Sequence, residues 1–207
     1  EKDFINFHVQ RLVQRKLIFG FFKEFEGKIT LPAYMLDKYY IERRTNPKYK
    51  VRIHYFSDWI RNNEQMGFGK ECTSETACSQ PKELWLDFMT THVDSYLPMK
   101  KNPELVKEMA SHEKNWQGTV VSYIPKEKLN LPPEELKIKD GDVLALVTNI
   151  KGLDVVHVGF AFWKDNQLHL LHASSSAKKV IEDPKTQYES SKNTKAHIGV
   201  RAIRFVY

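Results

Sequence analysis

The chain has 207 residues, of which 41% are hydrophobic, 12% aromatic and 28% charged, a composition that excludes intrinsic disorder. A chain of this length buries about 70% of its extended surface and needs no disulfide framework or metal to fold. Nine Gly and nine Pro exclude a collagen-like or low-complexity chain, and the 32 basic against 26 acidic residues, a net charge of +6, favour an anionic partner surface without naming it.

The chain opens at Glu1 with no Met, no basic n-region and no apolar h-region, so no signal peptide is visible. The expectation is a removed leader or a chain cut from a longer one. Ile5, Val9, Leu12 and Val13 fall on one face of a helix, with Asp3 as an acceptable N-cap. A second helical pattern runs from Pro32 to Ile41. Arg52–Ile60 is aromatic-rich, Asn62–Ser79 reads as polar loop, and further helices are expected at Lys82–Thr91 and Pro103–Asn115. The period then changes. Gly118–Ile124, Val143–Thr148, Val155–Trp163, Leu168–Ala173 and Gly199–Tyr207 are short β-branched or aromatic runs separated by turn residues. Apolar runs such as Leu17–Phe22 and Val143–Val147 are far shorter than the ~20 residues a membrane span needs, so a soluble domain is expected. Helices followed by strands indicate an α+β fold, with N-terminal helices (about 1–116) packed on a mostly antiparallel C-terminal sheet (about 117–207) in one domain. Lys and Arg are scattered and match no nucleic-acid module, so no nucleic acid is expected as partner.

The informative stretch is Val155–Ser176. Asp165-Asn166 between two strand-like runs reads as a two-residue hairpin turn, because both residues tolerate positive φ. Lys164 then pairs with Gln167, His157 lies opposite Ser174, and His172 lies opposite Gly159. Alternation puts Val155, His157, Gly159 and Ala161 on one face with Leu170, His172 and Ser174. Val156, Val158, Phe160 and Phe162 take the other, expected to be the core face. His157 and His172 become diagonal cross-strand neighbours, roughly 7 Å apart at the backbone, with Gly159 leaving space between the rings. An imidazole held by a second polar group is what a nucleophile's general base requires. Two satisfied polar groups on a half-exposed face are the alternative at this point. His169 falls on the opposite face and reads as structural. His8, His92, His112 and His197 show no partner pattern and are expected to be solvated. No metal site is expected: Asp154 and Asp165 point to loops, and Cys72 and Cys78 lack a second ligand pair.

Three further segments match a known family: Lys137–Ile181, Arg52–Asn63 (RIHYFSDWIRNN) and Tyr123–Leu129 (YIPKEKL), together with Gly199–Phe205 (GVRAIRF). The chain resembles, over nearly its whole length, the N-acetylmuramoyl-L-alanine amidase-like branch of the NlpC-type, papain-like cysteine amidases. The resemblance implies a papain-like fold, no cofactor, hydrolysis of amide bonds in peptidoglycan stem peptides, and a periplasmic or secreted location. Peptidoglycan also fits the sign of the net charge. It implies His157 of the HVG strand as general base and His172 of the HAS strand as its orienting group.

The family's nucleophile motif is an Asp-Cys pair at a helix start, and Asp3-Phe4-Ile5-Asn6-Phe7 stands in its place. The resemblance places Phe4 at the Cys position and leads to the expectation that the family's upstream segment is absent. A phenyl ring cannot attack a carbonyl, so a non-catalytic peptidoglycan-binding relative is the second expectation beside the hydrolase. Cys72 or Cys78 acting as a substitute nucleophile is a weaker one. Their bland reading is a surface disulfide, which the five-residue spacer permits. Arg52, His54, Tyr55 and Trp59 are candidate substrate contacts: a guanidinium binds a carboxylate bidentately, and aromatic rings stack on sugar or peptide planes. Core packing explains them equally. Asp3 is a cleft-orienting group or a helix cap, and Asp154 and Ser174 are candidate hydrogen-bond partners of the two histidines.

Overall fold

A computed structural model gives the fold and describes residues 54–206. The expected helices over Ile5–Val13 and Pro32–Ile41 lie outside the described residues, as do Asp3, Phe4, His8 and Arg52. The larger compact unit comprises Ile53–His172 and Glu182–Tyr207. Ala173–Ile181 belong to a second unit, whose described part carries most of strand β7 (Lys179–Glu182).

The first described helix, α1 (Phe56–Gln65), begins inside the aromatic segment. Tyr55 is its extended N-cap and offers no side-chain cap. The capping bond comes from elsewhere: Ser57 N–H donates to Asp154 Oδ2 at 2.8 Å, which places a carboxylate at the positive end of the helix. Phe56, Trp59 and Ile60 form the inner face and pack with Val143, Ala145 and Ile203. Burial of Ile60 to 1% exposure contributes about 2 kcal/mol.

The expected helix over Lys82–Thr91 is a strand, β2 (Gln80–Leu84), followed by the four-residue helix α2 (Phe88–Thr91). Pairing decides this. β2 forms an antiparallel ladder with β3 (Thr119–Pro125), and Pro81 is tolerated because β2 is an edge strand. Asp87 and Phe88 N–H both donate to Gly152 O, which turns the chain into α2. Asn62–Ser79, expected as loop, holds the end of α1, strand β1 (Gly69–Glu71) and one 3-10 turn (Thr73–Glu75). After α3 (Leu97–Lys101), helix α4 spans Pro103–Lys114 as expected. Asn102 caps it by accepting from Glu104 N–H, and Pro103 opens its first turn.

The remaining strands are β4 (Val143–Thr148), β5 (Val155–Lys164), β6 (Gln167–Ser174) and β8 (His197–Phe205), with short helices α5 (Pro133–Leu136) and α6 (Gln187–Lys192) between them. In the larger unit the sheet order is β2-β3-β8-β4-β5-β6, and β1 pairs with the C-terminal half of β8. The recorded pairings are antiparallel. The architecture is α+β.

The sheet is covered on both faces. One core contains Leu144, Ala161, Leu168, Leu170, Val200 and Ala202, together with Cys72, Ile124 and Leu136. The other is the α1 core already described. This corrects the expected facing of β5. Its histidine face is also a core face, through Ala161 and Leu170, while on the other Phe160 and Phe162 are core as expected but Val156 and Val158 are 41% and 38% exposed. A bulge causes part of this. Leu146 pairs with His157 but Val147 pairs with Val155, so Val156 is an extra residue and Val155 changes sides to join Phe160 in the α1 core.

Candidate active site

The β5–β6 hairpin sets the site. Asp165 and Asn166 adopt φ of 52° and 56°, both positive as a type I′ turn demands, and Lys164 pairs with Gln167. The same register continues to Phe160–Leu171. It delivers His157 and His172 to each other: Nε2 of His157 lies 2.7 Å from Nδ1 of His172, with the rings nearly perpendicular at 89°. Gly159 does not serve as the gap between them. A Cβ there would meet Leu170 Cγ at 2.7 Å and Leu171 O at 2.8 Å, so the missing side chain makes room for Leu170.

Two neutral imidazoles in contact need one donor and one acceptor. If His157 Nε2–H donates, the lone pair of His157 sits on Nδ1, and this nitrogen is free to act as a base. Burial lowers the His157 pKa below its ordinary value, and the neighbouring His172 lowers it further. Burial also lowers that of His172, partly offset by the Asp183 carboxylate. Both rings are therefore neutral at pH 7, the state a general base requires. Behind the pair, His172 Nε2 is buried with no hydrogen-bond partner among the described residues, and Asp183 Oδ2 is 4.0 Å away.

His157 lies at the wall of a cleft of about 370 Å³ lined by His54, Tyr55, Phe56, Met89, Tyr96 and the stretch Leu153–Val158. Of the expected substrate contacts, His54 and Tyr55 reach this cleft. Trp59 does not: it stacks on Phe56 at 4.8 Å, meets Phe205 edge-on, and belongs to the α1 core. The Tyr55 hydroxyl is already committed, donating to buried Glu113 at 2.6 Å and accepting from Met89 N–H. Asp154 is no partner of the histidines; its two oxygens accept from Ser57 and Val155 N–H. Ser174 Oγ bonds Ser176 Oγ and accepts from Ala177 N–H, which ties the turn after β6.

His169 is structural as expected, stacked on Phe162 with Nδ1 3.0 Å from Asp183 O. His197, expected to be solvated, is 3% exposed and donates from Nε2 to Gly199 O. Tyr96 in the cleft and Asp183 behind His172 were not found by reading the sequence. Tyr96 carries no sequence signal. Asp183-Pro184 did carry one, a turn-forming Asp two residues before the Lys185 N–H that it accepts from.

Cys72 and Cys78 are both free thiols. The surface-disulfide reading is wrong because Cys72 is 3% exposed inside the main core, where its thiol donates to Ala202 O. Burial, followed by the Asp142 carboxylate, pushes the thiol up to about 12. A thiol so protonated is a poor nucleophile. Cys72 in the folded protein is expected to resist iodoacetamide at pH 8 and to react in denaturant; rapid labelling of the native protein, read by mass spectrometry, would contradict this. Among the described residues, no group of three or more His, Cys, Asp or Glu stands where it could hold a metal ion, and no helix is long and apolar enough to cross a membrane.

The model of the N-acetylmuramoyl-L-alanine amidase-like family matches residues 35–196. Among solved structures, the chain is similar to an N-acetylmuramoyl-L-alanine amidase from Bacteroides uniformis, with 37% identity and a TM-score of 0.72 over 77% of this chain and 66% of that one. It is also similar to a Bacteroides fragilis protein with a provisional xylanase assignment, at 41% identity and a TM-score of 0.71 over 75% and 67% of the two chains. A Legionella pneumophila protein shares the fold at 21% identity and a TM-score of 0.56, over 77% and 64%. No curated protein sequence matches the chain. The chain thus spans just under two thirds of the amidase it resembles, and the family match begins downstream of Asp3 and Phe4.

Proposed function

Because this chain belongs to the N-acetylmuramoyl-L-alanine amidase-like family, we propose that it hydrolyses an amide bond in peptidoglycan stem peptides, as a cysteine-type amidase on a papain-like, NlpC-like fold acting in the periplasm or outside the cell. The observation that carries this reading is the 2.7 Å contact between two imidazoles, one of them at the wall of a cleft. In that chemistry a thiol presented to the cleft attacks the scissile carbonyl and His157 Nδ1 takes its proton; buried Cys72 does not supply that thiol, and Phe4 stands where the resemblance places it. The imidazolium then returns that proton to the leaving amine, and water cleaves the thioester with His157 again as base. His172 holds the ring in place. Glycosidase chemistry, suggested by one structural neighbour, fits less well. It needs two carboxylates flanking the scissile bond, and among the described residues the cleft is lined by one, Asp154, whose oxygens accept from backbone N–H groups.

A second reading rests on the sequence: Phe4 stands where the resemblance places the family's Cys. On that reading the cleft binds muropeptides without cutting them. Incubation of purified peptidoglycan with the protein, followed by mass spectrometry, separates the two. New amine and carboxyl termini support the hydrolase, while binding without release supports the non-catalytic relative. The pH profile adds a check. The base works only when neutral, and its pKa is lowered from 6.5, so the acid limb of kcat/KM is expected below pH 6.5. An acid limb at or above that value would contradict the burial argument. Stability follows the same sign. His157, His172 and His197 all have lowered pKa values in the fold, so the unfolded chain takes up protons first and Tm is expected to fall as pH drops through this range.

A further inference from the structure

We infer that Asp183 is a positioning residue that fixes the proton order of the histidine pair, a role resting on the reading of His157 as the general base. His172 has two ring nitrogens, and Nδ1 is engaged with His157. The other, Nε2, is buried with no hydrogen-bond partner among the described residues. The group it faces is a carboxylate oxygen of Asp183 at 4.0 Å, in a side chain only 22% exposed. A buried ring nitrogen next to a carboxylate is stabilised as N–H and destabilised as a lone pair. With the proton on Nε2, Nδ1 of His172 can only accept. The 2.7 Å contact then requires His157 to donate from Nε2, and the His157 lone pair falls on Nδ1. The reverse order would set a lone pair against the carboxylate and put the His157 proton on the nitrogen that has to accept one. When His157 takes a proton, the same carboxylate lowers the cost of the new positive charge.

Asp183 also ties the turn that leads into α6. Its Oδ1 accepts from Lys185 N–H and its Oδ2 accepts from the Ser190 hydroxyl on α6 at 3.2 Å. Among the described residues, His172 acts on His157 and Asp183 acts on His172. His169 meets Asp183 through the backbone carbonyl, not the carboxylate.

The test is Asp183→Asn in the full chain, with imidazole ¹⁵N shifts read by long-range ¹H–¹⁵N correlation. The wild type is expected to show His172 protonated at Nε2 and His157 at Nε2. D183N places an amide against the orphaned nitrogen, and the His172 tautomer is expected to become mixed while its pKa falls. Where turnover is measurable, kcat/KM is expected to fall about tenfold with KM unchanged, and Asp183→Glu restores part of it. Ser190→Ala is the control for a merely structural role, since it loosens the same turn and keeps the carboxylate; its imidazole shifts are expected to match the wild type. Unchanged His172 tautomer and pKa in D183N would overturn the inference, as would equal shifts in S190A. The shifts read proton order without any turnover. Their appearance in a protein that never cleaves peptidoglycan supports this inference and counts against the hydrolase reading alone.

Discussion

His157→Ala is expected to lower kcat/KM on peptidoglycan by about 10⁴-fold while leaving muropeptide binding within a few-fold. The asymmetry follows from what the ring touches. Its Nε2 is committed to His172, and its contribution to the cleft is a proton acceptor whose work is done in the transition state. The variant also leaves His172 Nδ1 without its partner, which costs about 1–2 kcal/mol of stability and makes a folded control by circular dichroism necessary. Turnover within tenfold of the wild type in a folded H157A protein would remove His157 from the reaction. If the protein is instead a binding relative, wild type and variant bind alike and neither releases product.

The second large effect is on the fold. Gly199→Ala is expected to destabilise the protein by about 3 kcal/mol or more, read as a drop in the urea midpoint with the m-value unchanged. A Cβ at this position would collide with the backbone oxygen of Ile124 and lie 2.7 Å from Tyr123 Cδ2. Neither neighbour can yield easily. Gly199 sits in the central strand, paired with Pro125 of β3 on one side and Val147 of β4 on the other, and its carbonyl accepts the buried His197 N–H. Val120→Ala, at a side chain 65% exposed, is the comparison and is expected to change stability by about 0.5 kcal/mol or less. Equal midpoints for the two variants would show that β3 and β8 can separate without loss.

These expectations draw unequally on sequence and structure. The hairpin was readable from the chain because its information is local: only a few residue types accept positive φ in sequence, and Asp165-Asn166 fixes the register of everything beyond it. Two imidazoles on that ribbon then had to meet. Helix α4 was equally local, with Asn102 and Pro103 marking its start. β2 was not readable as a strand because its conformation comes from pairing with β3, thirty-odd residues away. Trp59 is a similar case. An aromatic ring suits a ligand surface or a core, and only the arrival of Phe205 and Ile203 from the far end of the chain commits it to the core.

The sequence by itself determined the fold class, the hairpin and the meeting of His157 with His172, because alternation, turn chemistry and strand length act over a few residues. Tertiary structure alone decided that Asp154 caps α1, that the bulge at Val156 changes the facing of Val155, and that Cys72 and His197 are buried. It also decided that a carboxylate from beyond β7 faces His172. Each of these depends on a partner distant along the chain, and burial, hydrogen bonding and charge are properties of the assembled neighbourhood that no short stretch of residues contains.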